Sequence, residues 1–530
     1  MNNYLVYLSL VSTGAVTAVS CSNNDTPKQK PNIIYIMADD LGYGDTGCYG
    51  ADKIKTPNID KFATEGRRFT DAHSASAVST PSRYSLLTGE YSFRKINPAK
   101  PDTKGVFGPL NPQNPLIVDV NNLTLPNMLQ KQGYQTACIG KWHLGFTDGE
   151  PDWNESLSPG PNAVGFDYYF GVPIVNSAPP YVWVENDTVV GRDPNDPITY
   201  VGIKGENKTP IEEFPNKGVN RYSGGSYAHS IYEDEGAGEI LLGKALNWLD
   251  KAKEQDDPFF LYFATTHIHH PFTPSDRFKG SSEAGIYGDY AQELDWMIGE
   301  VLSYLDKNGL RENTIVVVTS DNGAMINEGG QQAWEHGHRI NGDLLGYKFG
   351  VWEGGHRIPF IVRWPGIVEP GTVSDCVISN VDMIATFADI VDYKLQPGDA
   401  VDSFNVLESW TGEPSEPIRD YFVMTPFKPT HIGLRMGEWI YIPKQGAGGF
   451  AMPKWGQNSL SNEAAIGHTG QVNSDFVDGK LREDAPEAQL YNLKTDPYQT
   501  TNVISENSEI ADMLSAKLTE IKESSHTRPY

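Results

Sequence analysis

Asp39 and Asp40 lie far from Asp321 and Asn322 in this 530-residue chain, yet each pair directly follows an apolar, strand-like run. All four side chains offer oxygen, and none offers thiolate or imidazole. A hard donor set of this kind selects Ca²⁺ or Mg²⁺ over zinc. Lys141 and His143, in Gly140-Lys141-Trp142-His143, follow a third apolar run, and His267, His269 and His270 follow a fourth. These supply fixed positive charge and groups able to carry protons. Ser79-Thr80-Pro81-Ser82-Arg83, followed by Leu87-Thr88-Gly89, places a hydroxyl beside a cation. No acid or histidine adjoins Ser79 to activate it as a nucleophile. Taken alone the stretch starts a helix, with Pro81 in the first turn and Ser79 or Thr80 as cap.

The runs that must position these groups are Asn32–Ala38, Tyr134–Ile139, Pro258–Ala264 and Thr314–Thr319. Between the last two, Leu294, Met297, Ile298, Val301, Leu302 and Leu305 recur at helical spacing over Tyr290–Asn308. Gly236–Lys253 and Leu125–Gln132 read as further helices. Near-continuous apolar strands alternating with helices imply a sheet covered on both faces. Ligands of such sheets bind beyond the carboxyl ends of the strands. Asp-Asp or Asp-Asn-Gly after one strand is ordinarily a turn. Four such ends together predict one shared site.

Hydrophobic residues make up 39% of the chain and charged residues 21%, as in a globular protein large enough for two domains. A net charge of −26 argues against nucleic acid and against an anionic membrane surface as partners. The cysteines, Cys21, Cys48, Cys138 and Cys376, form neither a CxxC pair nor a dense disulfide framework. Residues 1–20 read as a signal peptide whose apolar run ends in Ala18-Val19-Ser20-Cys21. That ending resembles a bacterial lipoprotein box, which would put a lipid on Cys21 and make residues 21–30 a tether. A simple secretion signal is the alternative, and either places the mature chain outside the cytoplasm, in the periplasm or at the cell surface.

Several stretches resemble the type I, formylglycine-dependent sulfatases of the alkaline phosphatase superfamily. Ser79 to Gly89 matches the modification signature (Cys or Ser)-x-Pro-x-Arg-x4-Thr-Gly. Gly140-Lys141-Trp142-His143-Leu144-Gly145 matches G-K-W-H-L-G. Lys348 and Glu353-Gly354-Gly355-His356-Arg357-Ile358-Pro359 resemble L-x-G-x-K-x4-E-G-G-x-R-x-P, with Leu345-Gly346-Tyr347-Lys348 one residue tighter. Leu490-Tyr491-Asn492-Leu493 through Asp496-Pro497 to Thr501-Asn502 resembles the family's tail. The resemblance implies an α/β/α sandwich over residues 31–395 and a smaller C-terminal α+β subdomain over 396–530 with a short antiparallel sheet. Gly433–Ile442 and a final helix at Ile510–Ser524 would belong to that subdomain.

By the same resemblance, Asp39, Asp40, Asp321 and Asn322 hold Ca²⁺. Ser79 is oxidised to formylglycine by a maturase, and its hydrate attacks sulfur. Arg83 and Lys141 hold the hydrate, His269 in the H-x-P pattern with Pro271 protonates the leaving oxygen with help from Lys348, and His143 removes the second proton. A sulfated carbohydrate is the expected substrate. Asp152-Trp153 through Gly165-Phe166-Asp167-Tyr168 resembles, loosely, sulfatases acting on galactose-type sugars. Glu150–Ser230 reads as a long loop whose aromatics either bind sugar or pack on the core. His336, His338 and Arg339 are substrate-binding candidates, or else part of a solvated loop. A phosphonate or phosphodiester hydrolase of the same superfamily, and a non-catalytic glycan-binding lipoprotein, are the rival readings.

Overall fold

Asn32–Ala38 (β1) is buried at every position, because it runs through the middle of a ten-stranded sheet. The other strands of that sheet are Arg67–Phe69 (β2), Gln135–Gly140 (β3), Tyr168–Gly171 (β4), Val184–Glu185 (β5), Thr188–Val189 (β6), Phe259–Ala264 (β7), Thr314–Ser320 (β8), Phe360–Arg363 (β9) and Thr372–Ser374 (β10). Their order is β10-β2-β9-β8-β1-β7-β3-β4-β5-β6. The central pairs β8·β1, β1·β7, β7·β3 and β3·β4 are parallel. The flanking strands β9 and β5 run antiparallel to their neighbours. This is a computed structural model, and it describes residues 30–98, 102–195, 197–198, 232–450 and 459–529. The signal peptide, Cys21 and nearly all of the tether lie outside those residues, as does much of the Glu150–Ser230 segment.

Alternation along β1 divides the core in two. Ile33, Tyr35 and Met37 face helices Ser79–Thr88 (α1), Leu125–Lys131 (α2) and Met383–Ile390 (α3) through Leu86, Leu129 and Ile384. Ile34 and Ile36 face the opposite layer, built from Pro57–Glu65, Ala237–Ala252 and Gly285–Lys307. Both faces are therefore covered by helices, as the apolar runs require. The expectation of a loop at Glu150–Ser230 needs correction over its first part. Tyr169 and Phe170 lie in β4, and Tyr181 and Trp183 are buried in the second core cluster with Phe170. Those aromatics pack; they do not face solvent.

A second, four-stranded antiparallel sheet is formed by Tyr421–Met424 (β11), Gly433–Met436 (β12), Trp439–Ile442 (β13) and Gln489–Asn492 (β14). The helix Ser508–Glu523 lies against it. Pro31–Tyr530 is one compact unit, in which the small sheet meets the chain near Trp352 and Ala75. No helix among the described residues is long and apolar enough to cross a membrane.

Candidate active site

The carboxyl ends of β1, β3, β7 and β8 and the N-terminus of α1 converge at one place. Asp39 and Asp40 follow β1, and Asp321 and Asn322 follow β8. The parallel register sets Ala38 opposite Ser320, so the two pairs leave the sheet side by side. Asp40 takes a left-handed conformation, φ 63°, which turns the chain sharply enough for both carboxylates to face the same point. The Asp40 backbone N–H donates to Asp321 Oδ1 at 3.2 Å.

Ser79 is the first residue of α1 and is buried. Its hydroxyl sits 3.3 Å from Asp39 Oδ1 and 3.2 Å from Asn322 Oδ1. Arg83, one turn further along the same face, donates from Nε and Nη2 to Asp321 Oδ2 at 3.0 and 2.9 Å. Lys141 Nζ lies 2.9 and 2.8 Å from the two oxygens of Asp39. Lys348 Nζ meets Asp40 Oδ1 at 2.6 Å. The tighter spacing before Lys348 is therefore harmless. Its N–H bonds to Ala324 O, and the left-handed turn at Phe349, φ 75°, returns the chain.

Both site imidazoles have tautomers fixed by backbone carbonyls. His143 Nε2 faces Leu110 O at 3.2 Å and must donate to it. Its Nδ1 then carries the lone pair, and that atom is buried without a hydrogen-bond partner. His143 is thus presented as a proton acceptor. His269 Nδ1 donates to His270 O at 2.6 Å, which leaves Nε2 directed toward Asp40 Oδ2 at 3.8 Å. His270 stacks on His269 with ring centroids 4.2 Å apart. His267 lies elsewhere, packed on Tyr290 at 4.1 Å and 3.5 Å from Glu293. Of the three histidines after β7, His269 is the one aimed at the carboxylates.

Burial governs the charge states. It pushes the Asp39 carboxyl up to about 7 and the Lys141 ammonium down to about 8, each opposed by the other's charge. Asp321 is buried too, but Arg83, Lys141 and Lys348 outweigh that and hold its carboxyl well below the usual range. Burial, reinforced by Lys141 and Arg83, keeps His143 well below the usual imidazole value. Burial and the neighbouring His270, Lys348 and Lys141 do the same for His269.

The structure does not bring the three specificity candidates into this cluster. His338 is buried and bonds Asp45 Oδ1 at 2.7 Å, beside Tyr287, whose hydroxyl donates to Asp45 Oδ2 at 2.5 Å. It braces the turn after Asp40. Arg339 lies over the Trp334 ring at 3.6 Å, and His336 lies against Gly285 at the start of a long helix. Two positioning residues carried no mark in the sequence. Leu110 orients His143 through its carbonyl, and buried Asn176 donates to His269 O at 3.2 Å.

The residues present fit a hard divalent cation. Asp39 and Asp40 bring carboxylate oxygens within 4.8 Å of one another and of a His269 ring nitrogen, Asp321 and Asn322 stand beside them with oxygen donors, and Asp40 Oδ2 is buried without a hydrogen-bond partner. Asn322 donates its Nδ2 to Asp40 Oδ1 at 2.7 Å, so its own oxygen is turned to the side where Ser79 stands.

The family profile described as Sulfatase matches residues 31–393. An N-acetylgalactosamine-6-O-sulfatase of Bacteroides thetaiotaomicron is 38% identical over 525 residues, spanning 94% of this chain and 94% of the relative. The N-acetylgalactosamine-6-sulfatase of Mus musculus is 33% identical over 72% of this chain and 66% of its own length. A structure from work on glycosaminoglycan metabolism by Bacteroides thetaiotaomicron superposes with a TM-score of 0.78 at 36% identity, covering 94% of this chain and all of that one. The phosphonate monoester hydrolase of Agrobacterium radiobacter, at 18% identity and a TM-score of 0.56 over 93% of this chain and 95% of its own, shares the fold.

Proposed function

Because the chain belongs to the sulfatase family and is a sulfuric ester hydrolase, we propose that it removes the 6-O-sulfate of N-acetylgalactosamine, or of a closely related galactose-type sugar, within a glycan. The observation that carries the catalytic assignment is the seat of Ser79. Its hydroxyl is held between Asp39 and Asn322, with Arg83, Lys141, Lys348, His143 and His269 closing around it. The sugar and position follow the two N-acetylgalactosamine 6-sulfatases among its relatives.

Ca²⁺ held by Asp39, Asp40, Asp321 and Asn322 would supply Lewis-acid polarisation of the sulfate oxygens. Asp39, the carboxylate that the Ser79 hydroxyl meets, is tied through both oxygens to Lys141 and belongs to the cation site, so the reading includes oxidation of Ser79 by a maturase to formylglycine, whose hydrate is the stronger nucleophile. The remaining work falls to the chain's own residues. Arg83 and Lys141 fix Asp321 and Asp39 and place positive charge along the path of the sulfate. Lys348 adds a third cation where charge develops during transfer, the largest expected contribution in a buried site. His143 Nδ1 takes a proton from the nucleophile's side. His269 Nε2, once protonated, delivers one to the departing sugar oxygen. Export, with a lipid on Cys21, completes the proposal: glycan breakdown outside the cytoplasm.

Turnover of nitrophenyl sulfate against a nitrophenyl phosphodiester separates this reading from the phosphodiesterase rival. A panel of sulfated monosaccharides, with free sulfate as readout, then ranks the sugars. Activity confined to the phosphodiester would overturn the catalytic proposal. Equal rates on 4-O- and 6-O-sulfated sugars would overturn the position.

A further inference from the structure

A second convergence of ligating side chains lies behind the site, between the strand segment Ala72–His73 and the one-turn helix Glu353–His356. His73, Glu353 and His356 are all fully buried, and a ligand atom from each falls within 4.8 Å of the others.

Its hydrogen bonds settle where the protons are. Asp71 is gripped by Arg435, Nη1 to Oδ1 at 2.6 Å and Nη2 to Oδ2 at 2.7 Å, with Arg357 at 3.1 Å, so it is ionised. An ionised carboxylate only accepts. His73 Nε2, 2.7 Å from Asp71 Oδ1, must therefore carry hydrogen. His356 Nε2 lies 3.0 Å from Val351 O, which also only accepts. Both neutral rings then present a lone pair at Nδ1, and these two atoms are 3.0 Å apart. Two facing lone pairs repel, so this arrangement calls for a cation between them. Glu353 Oε2 takes Arg357 Nε at 2.6 Å, while Glu353 Oε1 is buried without a hydrogen-bond partner.

We propose that His73 Nδ1, His356 Nδ1 and the Glu353 carboxylate form a structural site for a divalent transition-metal ion of the zinc class. Two imidazoles and a carboxylate are a donor set that such ions take. Ligating imidazoles characteristically donate their other N–H to a carboxylate or a backbone carbonyl, here Asp71 and Val351. Tetrahedral zinc holds two nitrogens about 3.3 Å apart, so the rings need move by only about 0.3 Å. Two nitrogen donors distinguish this site from the carboxylate-rich set at Asp39, Asp40 and Asp321, and each set selects a different ion. The ion would pin two segments that carry the reaction. Ser74 N bonds His356 O at 2.8 Å on the path to Ser79, and Gly323 N bonds Gly355 O at 3.0 Å beside Asn322.

The test is elemental analysis of the purified full chain after washing with a calcium-selective chelator. About one equivalent of transition metal per chain is expected. It should persist in Asp321→Asn and fall at least tenfold in His356→Ala and Glu353→Gln. Crystals of the unaltered protein, measured at the metal's absorption edge, should show an anomalous peak between His73 and His356 even if the variants fail to fold. A metal-free chain with no such peak, after growth and dialysis in zinc, overturns the proposal. In that case nitrogen NMR should find a proton shared by the two Nδ1 atoms.

Discussion

Asp321 serves two masters, and substitutions there must be chosen with both in mind. It neutralises buried Arg83 through two bonds to Oδ2, and its Oδ1 accepts the Asp40 backbone N–H beside the carboxylate cluster. Asp321→Ala would leave buried Arg83 only the more distant Asp39, at 3.8 Å, as a counter-charge, a loss of up to about 3–5 kcal/mol. Asp321→Asn keeps the shape and removes the charge. It is expected to lower bound calcium and to cut kcat by about 10²–10³-fold. Metal analysis and turnover of the same preparation check this, and full activity after thorough chelation would refute the calcium assignment. His269 makes a different prediction. If its Nε2 protonates the departing oxygen, His269→Ala should slow a sugar sulfate by about 10²–10⁴-fold. Nitrophenolate leaves without a proton, so nitrophenyl sulfate should suffer far less. Equal losses on both substrates would point to sulfate binding instead. Ser79 is tested by mass: protein from the native host should yield a peptide lighter by one H₂ and reactive with hydrazides, and Ser79→Ala should bind substrate without turnover. Full turnover by homogeneous, unmodified protein would overturn the formylglycine reading.

At the scale of elements, what places these residues is how closely the strand ends pack. Gly140, at the end of β3, has φ 120°, and a Cβ there would lie 1.8 Å from Ala264 O on the neighbouring strand. Gly140→Ala must therefore push β3 away from β7 and carry Lys141 off Asp39. Strain at such a φ alone costs about 1–3 kcal/mol, and the overlap adds to it. The expected outcome is a protein with a lowered denaturation midpoint and little activity; a wild-type midpoint would show that the sheet can open there. The strands that end in chemistry were legible because burial on both faces leaves an uninterrupted apolar run. Asn32–Ala38 has the same limits in sequence and structure, and the other three differ by one residue at either end. Of the four-residue strands, β12 and β13 showed as alternation over Gly433–Ile442, whereas two in the large sheet were not legible. β4 and β9 have four residues each, too few alone for a period to register, and β4 sits in a segment that otherwise reads as loop. Contacts made by backbone atoms escaped for another reason. The carbonyl of Leu110 orients His143, and no side chain announces it. His338 shows the converse: a histidine in a polar run looks available for substrate until Asp45 is found beside it.

Across the whole molecule, the small sheet and the final helix bear on the reaction through one wall of the site. Ala511, Leu514, Leu518 and Ile521 of that helix join Leu434, Tyr441 and Leu490 of the small sheet in a cluster that also contains Ala75, Tyr91 and Val381. Ala75 lies four residues before Ser79. The chain end is tied down separately, by Thr527 Oγ1 donating to Asp402 Oδ1 at 2.8 Å and by Arg94, which pairs with the same carboxylate and donates to Ser524 O. Leu514 is fully buried, so Leu514→Ala should cost about 2–5 kcal/mol through lost burial and a cavity. Its effect on catalysis should be small, because α1 has its own support. Asn380 accepts from Ala75 N at 2.8 Å and donates to Ser82 Oγ at 2.8 Å, and Thr425, just past β11, bonds Ala75–Ala77 through backbone and hydroxyl, so the helix that carries Ser79 is held by contacts that do not involve Leu514. Denaturant unfolding and active-site-normalised kcat/KM on one preparation separate the two effects. A lowered midpoint with unchanged kcat/KM is the expected pair. A large fall in kcat/KM of the folded protein would mean that the C-terminal helix sets the position of Ser79 directly, and that the small sheet is part of the catalytic frame.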